Sequence, residues 1–293
     1  MVTLSTASEV QGVSVCGESG LVAAFSSDGS INVWRLPSGE SVGKRPAEDG
    51  VSTLACSPDG KWLAIGKGDG SVVITDASGK PVNTLAIAHQ GIVGLAFPPD
   101  QSVLAVHVRG SPAQLWDPAT GVLIAALQTD FGGYSDMAFS PDGALFATAD
   151  QDTTVRIYDR TGKPKAKYTG LLLEPFALTF MPDGKELVVG GADCTLTFLD
   201  ASDGHLVRAL PKQPDPVFRT AALPSGARLL SLHVDAVSLK RVTTFLWDLR
   251  NITPRELPIN GSHLKGFGIT ANHLPLLFTA DSKNSLTVWA LPE

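Results

Sequence analysis

The chain has 293 residues, of which 43% are hydrophobic and 18% are charged. This composition excludes an extended disordered protein, because apolar residues are frequent enough to form a core. The net charge of −6 argues against binding to nucleic acid or to an anionic membrane surface by general electrostatic attraction. The 29 glycines and 20 prolines indicate many tight turns.

The chain start and the cysteines bear on location. Residues 1–6 lack the basic start and apolar run of a secretory signal, and no apolar run approaches the length of a membrane helix. Cys16, Cys56 and Cys194 form no Cys-x-x-Cys pair, so neither a disulfide framework nor a zinc ribbon is predicted. We interpret Cys16 and Cys56 as small buried residues in a reducing compartment. We expect a cytoplasmic protein, with the nucleus as the alternative.

One position recurs along the whole chain at intervals of 41, 41, 42, 41, 48 and 42 residues. An acid follows this marker in five of the seven periods. The marker residues are Trp34, Thr75, Trp116, Tyr158, Leu199, Trp247 and Trp289, and the acids are Asp76, Asp117, Asp159, Asp200 and Asp248. An internal repeat of this length is typical of propellers and other repeat folds.

Each period contains four short apolar runs separated by turns. In the second period the first two runs are residues 51–56 and 62–65. Residues 57–60 (Ser-Pro-Asp-Gly), which lie between these runs, suit a reverse turn. No window shows a helical period, so four strands per period are predicted. The acids after the markers are interpreted as turn-forming residues and not as general acids, because they repeat from period to period.

The sequence at the markers carries a family resemblance. Residues 115–117 (Leu-Trp-Asp), 246–248 (Leu-Trp-Asp) and 138–143 (Ala-Phe-Ser-Pro-Asp-Gly) resemble the signatures of the WD-repeat family, over all seven periods. The resemblance implies an all-β fold, a seven-bladed β-propeller of four-stranded antiparallel blades. The buried Asp–His–Ser/Thr–Trp network of the family is complete in no period, since His89 alone fills its slot and Gly110 replaces the aspartate of that period. Apolar packing between blades should therefore provide the stability.

The ends of the chain predict how the ring closes. Only residues 290–293 follow the last marker, so the last period lacks a fourth strand of its own. We predict that residues 2–9 supply the outer strand of the last blade and close the ring, which leaves no long unpaired edge. The prediction is a single domain spanning residues 1–293.

Several motifs suggest chemistry that their context does not support. Residues 39–43 match Gly-x-Ser-x-Gly, but they lie in a predicted turn between strands and no helix follows. Residues 66–70 are glycine-rich without phosphate-loop spacing, and the lysines of 163–167 fit a solvated outer strand. The six histidines are too widely spaced to pair as ligands along the chain. No catalytic residue, metal or cofactor is predicted.

Function on such a ring is expected in its loops. Aligning the periods on their turns gives an apolar residue where the inner strand begins in six of the seven periods, the exception being Gln11, and polar or cationic residues at the opposing loop tips. The candidate partner-binding residues are Val51, Ile92, Arg109, Phe131, Tyr134, Gln151, Val217, Lys240, Arg241 and Phe267. Phe131 and Tyr134 form a candidate anchor pair on a glycine-rich loop, and the long loop 232–244 of the sixth period is a second candidate contact.

We therefore predict a non-catalytic protein-interaction scaffold, a monomer by itself that serves as subunit or adaptor of a larger complex and binds a protein or peptide around the central channel. Neither nucleic acid nor membrane is an expected partner. One alternative is a regulator of a small GTP-binding protein, similar to a propeller-type exchange factor. A propeller enzyme with an axial site is the other alternative.

Overall fold

The computed structural model describes residues 2–45, 48–87, 90–127, 134–235, 242–257, 276–281 and 284–290. Within these ranges the chain forms 27 β-strands and one 3-10 helix, Gly17–Ser19. Short apolar runs form strands here because a turn containing Gly, Asp or Pro follows each one within a few residues.

The strands follow one another in regular sets. The first thirteen are β1 Val2–Ser5, β2 Val10–Cys16, β3 Leu21–Ser26, β4 Ile31–Arg35, β5 Glu40–Arg45, β6 Val51–Cys56, β7 Trp62–Lys67, β8 Ser71–Asp76, β9 Pro81–Ala86, β10 Ile92–Ala96, β11 Leu104–Val108, β12 Gln114–Trp116 and β13 Leu123–Ala126. The others are β14 Tyr134–Phe139, β15 Leu145–Asp150, β16 Thr154–Asp159, β17 Pro164–Tyr168, β18 Pro175–Phe180, β19 Glu186–Gly191, β20 Leu196–Asp200, β21 Leu206–Ala209, β22 Val217–Ala222, β23 Arg228–Val234, β24 Val242–Asp248, β25 Thr253–Leu257, β26 Leu276–Asp281 and β27 Ser285–Ala290.

Six sheets have four strands each, in chain order from β2–β5 to β22–β25, and we number them first to sixth. A further sheet has three strands in the order β1-β27-β26, and we call it the terminal sheet. The prediction of seven four-stranded blades is therefore wrong: the structure gives six, and closure of a ring is not shown. Each marker lies on the third strand of its period. The number of markers therefore gives the number of periods, and it does not show whether each period has all four strands. Residues 258–275, where an inner strand of the last period was expected, lie outside the described residues.

The terminal sheet joins the two ends of the chain. β1 pairs antiparallel with β27, with Val2 opposite Val288 and Leu4 opposite Leu286. Leu4 is buried and packs with Val10 of the first sheet and with Leu286. The N-terminal strand thus belongs to the same sheet as the C-terminal one.

The contacts divide the chain into two compact units. One contains residues 1–109, 113–124 and 261–293, and the other contains 110–112 and 125–260. The terminal, first and second sheets and nearly all of the third belong to the first unit, and the fourth, fifth and sixth sheets to the second. The single-domain prediction for 1–293 stays a prediction.

Within each unit, neighbouring sheets share apolar cores. Ile31 and Phe25 of the first sheet pack with Leu63 and Ile65 of the second. In the second unit Phe198 of the fifth sheet packs with Trp247 of the sixth. This packing follows the expectation, and the burial of large side chains contributes roughly 1.5–3 kcal/mol for each one.

Aspartates form equivalent turns in the second to sixth sheets. Asp76 Oδ1 accepts hydrogen bonds from the amide nitrogens of Ser78 and Lys80 at 2.9 and 3.0 Å. Asp159 makes the equivalent bonds to Thr161 and Lys163. Asp117, Asp200 and Asp248 likewise accept main-chain bonds in their turns. The interpretation of these acids as turn residues is confirmed.

The sixth sheet contains a buried polar chain that the sequence did not reveal. Trp247 Nε1 donates to Ser231 Oγ at 2.8 Å, and Ser231 Oγ lies 2.7 Å from His233 Nε2. His233 Nδ1 lies 3.0 Å from the main-chain oxygen of Asp215, so Nδ1 carries the proton and the serine hydroxyl donates to Nε2. The histidine comes from the second strand and contacts a main-chain oxygen, so this polar chain is a partial form of the family's Asp–His–Ser/Thr–Trp network and lacks its aspartate carboxylate.

Cys16 and Cys56 form a disulfide, with their Cα atoms 5.0 Å apart. This corrects their interpretation as reduced buried residues. Each cysteine ends the inner strand of its sheet, and packing of the first sheet against the second brings these equivalent ends together. Spacing rules for disulfides miss such a pair, because 40 residues separate the two cysteines along the chain. Cys194 is the free cysteine.

Candidate docking site

The inner strand of each four-stranded sheet has a register shift at one equivalent place near its start. A β-bulge inserts one extra residue and re-aims the side chains beside it. The extra residues are Gln11, Ser52, Val93, Ser135, Phe176 and Phe218. The bulge therefore decides which side chains leave the core where each inner strand begins.

The bulges separate buried from accessible positions. Ile92 and Val217 are fully buried, whereas Val93, the residue that follows Ile92, is 37% exposed. Phe176 and Phe218, which follow Pro175 and Val217, are half-buried. The sequence alignment selected the residue before the bulge in these periods. The repeated pair of an apolar residue followed by phenylalanine was the signal that could have located the accessible position.

Phe176 and Phe218 are in contact across neighbouring sheets of the second unit. Their ring centroids are 4.7 Å apart and the ring planes differ by 19°, which is a stacked arrangement. β18 and β22 pack side by side and carry the two bulges that position the rings. Stacked aromatic pairs contribute about 0.5–1.5 kcal/mol beyond the area that they bury.

Two exposed leucines lie in the linker that leads into β18. Leu172 is 83% exposed and Leu173 is 51% exposed. The linker is fixed at its end, since the amide of Ala192 donates to the carbonyl oxygen of Glu174 at 2.9 Å. Phe176, Phe218, Leu172 and Leu173 together are named the aromatic edge below.

A charged pair lies beside the aromatic edge. Asp136 accepts hydrogen bonds from the amides of Met137 and Leu178, at 3.0 and 2.9 Å. Burial raises the pKa of Asp136, although the charge of Arg219 and these bonds act in the opposite direction. Arg219 itself is exposed and donates to the carbonyl oxygen of Phe218 at 2.9 Å. The aromatic edge therefore has a cation at its border.

The fourth sheet holds a buried ion-pair group below the exposed loop tip at Gln151. Arg156 contacts Asp150 through Nη1 and Asp152 through Nη2, the second at 2.8 Å. Asp150 is fully buried, and burial raises its pKa although the charge of Arg156 opposes this. Removing one partner of a buried ion pair strongly destabilises a protein, so this group holds the loop at Gln151 in place.

The other predicted binding residues are dispersed. Val51 begins β6 and is half-buried, and Arg109 is exposed just after β11, where its amide donates to Gly91 at 3.1 Å. Val51, Ile92 and Arg109 belong to the first unit, whereas Tyr134, Gln151 and Val217 belong to the second. Phe131, Lys240, Arg241 and Phe267 lie outside the described residues, as do residues 236–241 of the long loop 232–244, whose two ends belong to β23 and β24. Partner binding at these ten positions stays a prediction.

One group of possible metal ligands occurs in the part of the chain that the structure describes. Ligand atoms of Asp200, Asp203 and His205 lie within 4.8 Å of one another. These side chains are largely exposed and already bond one another or turn amides, such as that of Ser202. The group is an ordinary turn of the fifth sheet. No described helix has the length and apolar character that a membrane crossing requires.

Comparison with known proteins identifies the class of this fold. Residues 13–95 match the family model of the anaphase-promoting complex subunit 4 WD40 domain, and residues 123–159 match that of the WD domain, G-beta repeat. With its four-stranded antiparallel blades and recurring Trp-Asp turns, the chain belongs to the WD-repeat propeller family.

Relatives occur in plants, bacteria and mammals. A guanine nucleotide-binding protein subunit beta of Oryza sativa is 27% identical over 237 residues, which are 73% of this chain and 62% of that protein. An uncharacterized WD repeat-containing protein of Synechocystis is 31% identical over 43% of this chain and 37% of its own length. Telomerase protein component 1 of Rattus norvegicus is 24% identical over 62% of this chain, but only 7% of that protein is covered. The chain thus spans less than two thirds of the length of these relatives.

Proposed function

We propose that this chain is a non-catalytic scaffold that binds a protein partner through the aromatic edge. The stacked and partly accessible Phe176–Phe218 pair is the observation that supports this proposal most directly. Aromatic residues are common among the residues that dominate binding energy, and the exposed Leu172 and Leu173 precede Phe176 by only four and three residues in the chain. Relatives named as a guanine nucleotide-binding protein subunit and as a telomerase component support a role inside a protein assembly.

The partner is proposed to present an apolar segment with an acidic residue beside it. The apolar part would pack on Phe218 and Leu172, and the acid would pair with the exposed Arg219. Such an interface has an apolar centre and a polar rim, as transient protein interfaces commonly do. The exchange-factor and enzyme alternatives stay predictions, with no observation in the described residues that favours either.

Location is a separate proposal. A cytoplasmic or nuclear protein was expected from the sequence, but the Cys16–Cys56 disulfide favours an oxidising compartment, where such bonds persist. Thiol labelling and mass spectrometry of the protein isolated from its own cells would measure the redox state of this pair. That redox state distinguishes a reducing from an oxidising compartment. Labelling of all three cysteines would support the reducing compartment.

The docking proposal is tested by cross-linking and affinity purification from the native cell with matched variants. Leu172→Asp changes a side chain that is 83% exposed, so the fold should be retained while binding falls. Leu206→Asp, at a 48% exposed position on β21, is the control for adding a charge. The partners lost with Leu172→Asp should also be lost with Phe218→Ala, by about 30-fold in affinity if it is a hot spot.

Two results would contradict this docking proposal. One is that wild type, Leu172→Asp and Leu206→Asp retain the same stoichiometric companions, which would move the interface elsewhere. The other is that wild type retains none after cross-linking, which would contradict the scaffold itself. Circular dichroism melts of each variant separate lost binding from lost folding.

A further inference from the structure

A cavity of about 300 Å³ lies between the first and second sheets, within the first unit. Its charged lining residues are Arg35, Lys44 and Arg45, and no carboxylate lines it among the residues that the structure describes. The chain as a whole carries a net charge of −6, so this cavity reverses the charge of its surroundings. Its volume is at the lower end of the range of small-molecule sites.

Arg45 is the innermost of these cations. It is half-buried, and its guanidinium donates to Thr75 Oγ1 and, at 3.1 Å, to the main-chain oxygen of Asp76. Both acceptors are neutral oxygens, so they orient the guanidinium without cancelling its charge. Desolvation lowers the pKa of Arg45, yet arginine remains protonated at neutral pH. An oriented and partly desolvated cation thus faces the cavity.

The nearest carboxylates are engaged with other groups. Glu48 pairs with Lys67 at 2.9 Å. The carboxylate of Asp76 accepts hydrogen bonds from the amide and hydroxyl of Ser78 in its own turn. Neither carboxylate lines the cavity, so the charge of Arg45 is only partly compensated.

The two outer cations are accessible. Lys44 is exposed and forms no ion pair within the described residues. Arg35 lies 3.8 Å from Glu40, and both side chains are more than half exposed, so this contact is weak. Arg35 shares the face of Val33 and can therefore turn toward an anion in the cavity at little cost, whereas the side chain of Lys44 leaves the opposite face of β5 from that of Arg45.

The second unit provides an internal comparison. A cavity of about 720 Å³ between its fifth and sixth sheets is lined by Arg208 and Arg250, but also by Asp183 and Glu186. Arg208 makes two parallel hydrogen bonds to Glu186, at 2.6 and 2.9 Å. The charges of that cavity are balanced, so an excess of positive charge is not a general property of the clefts between sheets in this protein.

The remaining wall of the smaller cavity is apolar and fixed. Val33, Trp62 and Leu63 line it, and the disulfide between Cys16 and Cys56 joins its two sheets. A site whose walls are held in place loses little entropy when it binds a ligand. We propose that this cavity binds a small organic anion, with a carboxylate or phosphate against Arg35 and Arg45 and an apolar body against Trp62. This site is separate from the aromatic edge and does not depend on its function.

Phenyl phosphate and benzoate are suitable probes, with benzyl alcohol as the neutral control of similar size. Isothermal titration calorimetry and ligand-observed NMR should give saturable binding at one site for the anions and much weaker binding for the alcohol. Raising the salt from about 50 to 500 mM should weaken binding of the anions, because ions screen exposed charges. Equal binding of anion and alcohol, or no saturation by about 10 mM probe, would overturn the proposal.

Variants locate the binding site. Arg35→Gln should weaken phenyl phosphate binding about tenfold, the effect of losing one charge-assisted hydrogen bond. Lys44→Gln, on the opposite face of β5, should weaken it less, and Arg250→Gln at the other cavity should leave it unchanged. These three side chains are exposed, so the fold should be retained in each variant. An equal effect of Arg35→Gln and Arg250→Gln would show a nonspecific charge effect and refute the site.

Discussion

Ser231 links three buried polar groups of the sixth sheet. Its hydroxyl accepts from Trp247 Nε1 and donates to His233 Nε2, and all three side chains are almost completely buried. Burial lowers the pKa of His233, which keeps the imidazole neutral and able to accept this bond. One small hydroxyl therefore satisfies two large side chains that water does not reach.

Ser231→Ala should destabilise the protein by about 2–3 kcal/mol, because it leaves a buried donor and a buried acceptor without partners. Urea unfolding measures this against Ser41→Ala, which alters an exposed hydroxyl on β5. Trp247→Phe should cost less in the Ser231→Ala background than in wild type, since the indole donor is then already unpaired. Additive effects of the two substitutions would contradict the network.

The turn aspartates make stability depend on pH. Partial burial of Asp59 would raise its pKa, but Lys61 and the Ser57 hydroxyl outweigh this and lower it from 3.8 to about 2. For Asp28, hydrogen bonds from the hydroxyl and amide of Ser30 lower the pKa to about 2. Because the folded pKa lies below the unfolded one, the stabilisation is complete above pH 4 or so and is lost as the pH falls toward 2.

Asp59→Ala should therefore cost about 1 kcal/mol at pH 7, with the difference from wild type shrinking between about pH 4 and 2. Denaturant unfolding at a series of pH values measures it, and Asp49→Ala at an exposed position is the control. NMR titration of the Asp59 carboxyl provides its folded pKa directly. A difference that stays constant through this range would show that the charge of Asp59 does not contribute.

At the scale of elements, the inner strands determine what reaches the surface. Each four-stranded sheet carries its bulge at the same place, so the bulge is part of the repeat. The same strands end in Cys16 and Cys56, where the first and second sheets are joined covalently. The start of each inner strand thus exposes side chains at the surface. In the first and second sheets, the end of the inner strand holds the two sheets together.

Cys16→Ser with Cys56→Ser should lower the free energy of unfolding by about 4 kcal/mol, since the disulfide closes a 40-residue loop in the unfolded chain. Guanidinium unfolding measures it, and a reductant should lower wild type to the same value. Cys194→Ser is the control and should keep both the stability of wild type and its sensitivity to reductant, whereas the double variant should be insensitive. Wild-type stability unaffected by reductant would contradict a formed bond.

On the scale of the whole molecule, strand pairing joins the two ends of the sequence. β1 and β27 are separated by nearly the full chain, yet they form one sheet with a regular register. Leu4 is only 3% exposed and packs against both the terminal and the first sheets. Ordering the N-terminal residues thus contributes directly to the core of the first unit.

Leu4→Ala should cost about 2–4 kcal/mol, the usual effect of truncating a buried leucine. Leu206→Ala, at a 48% exposed position, is the matched control and should change stability little. Hydrogen exchange of the β27 amides should accelerate in the Leu4 variant, because β1 covers that strand. Equal stability of the two variants would mean that β1 is not docked in solution.

Repetition made much of the fold predictable. The markers, the turn aspartates and the short apolar runs predicted antiparallel strands in sets of four, because each of these features is local in sequence. They did not predict the number of complete blades. A marker on the third strand carries no information on whether the first strand of the same period is formed. Residues near Trp289 illustrate this, because their sheet has three described strands and includes β1.

The sequence alone determined the strand type, the turns and the family, because those depend on residues within a few positions of one another. Only the tertiary structure decided that Cys16 reaches Cys56, that His233 reaches Ser231 and that Phe176 stacks on Phe218. These contacts depend on how sheets pack and where a bulge shifts the register by one residue. A shift of one residue moves a side chain from core to surface, and neither composition nor repeat length records it.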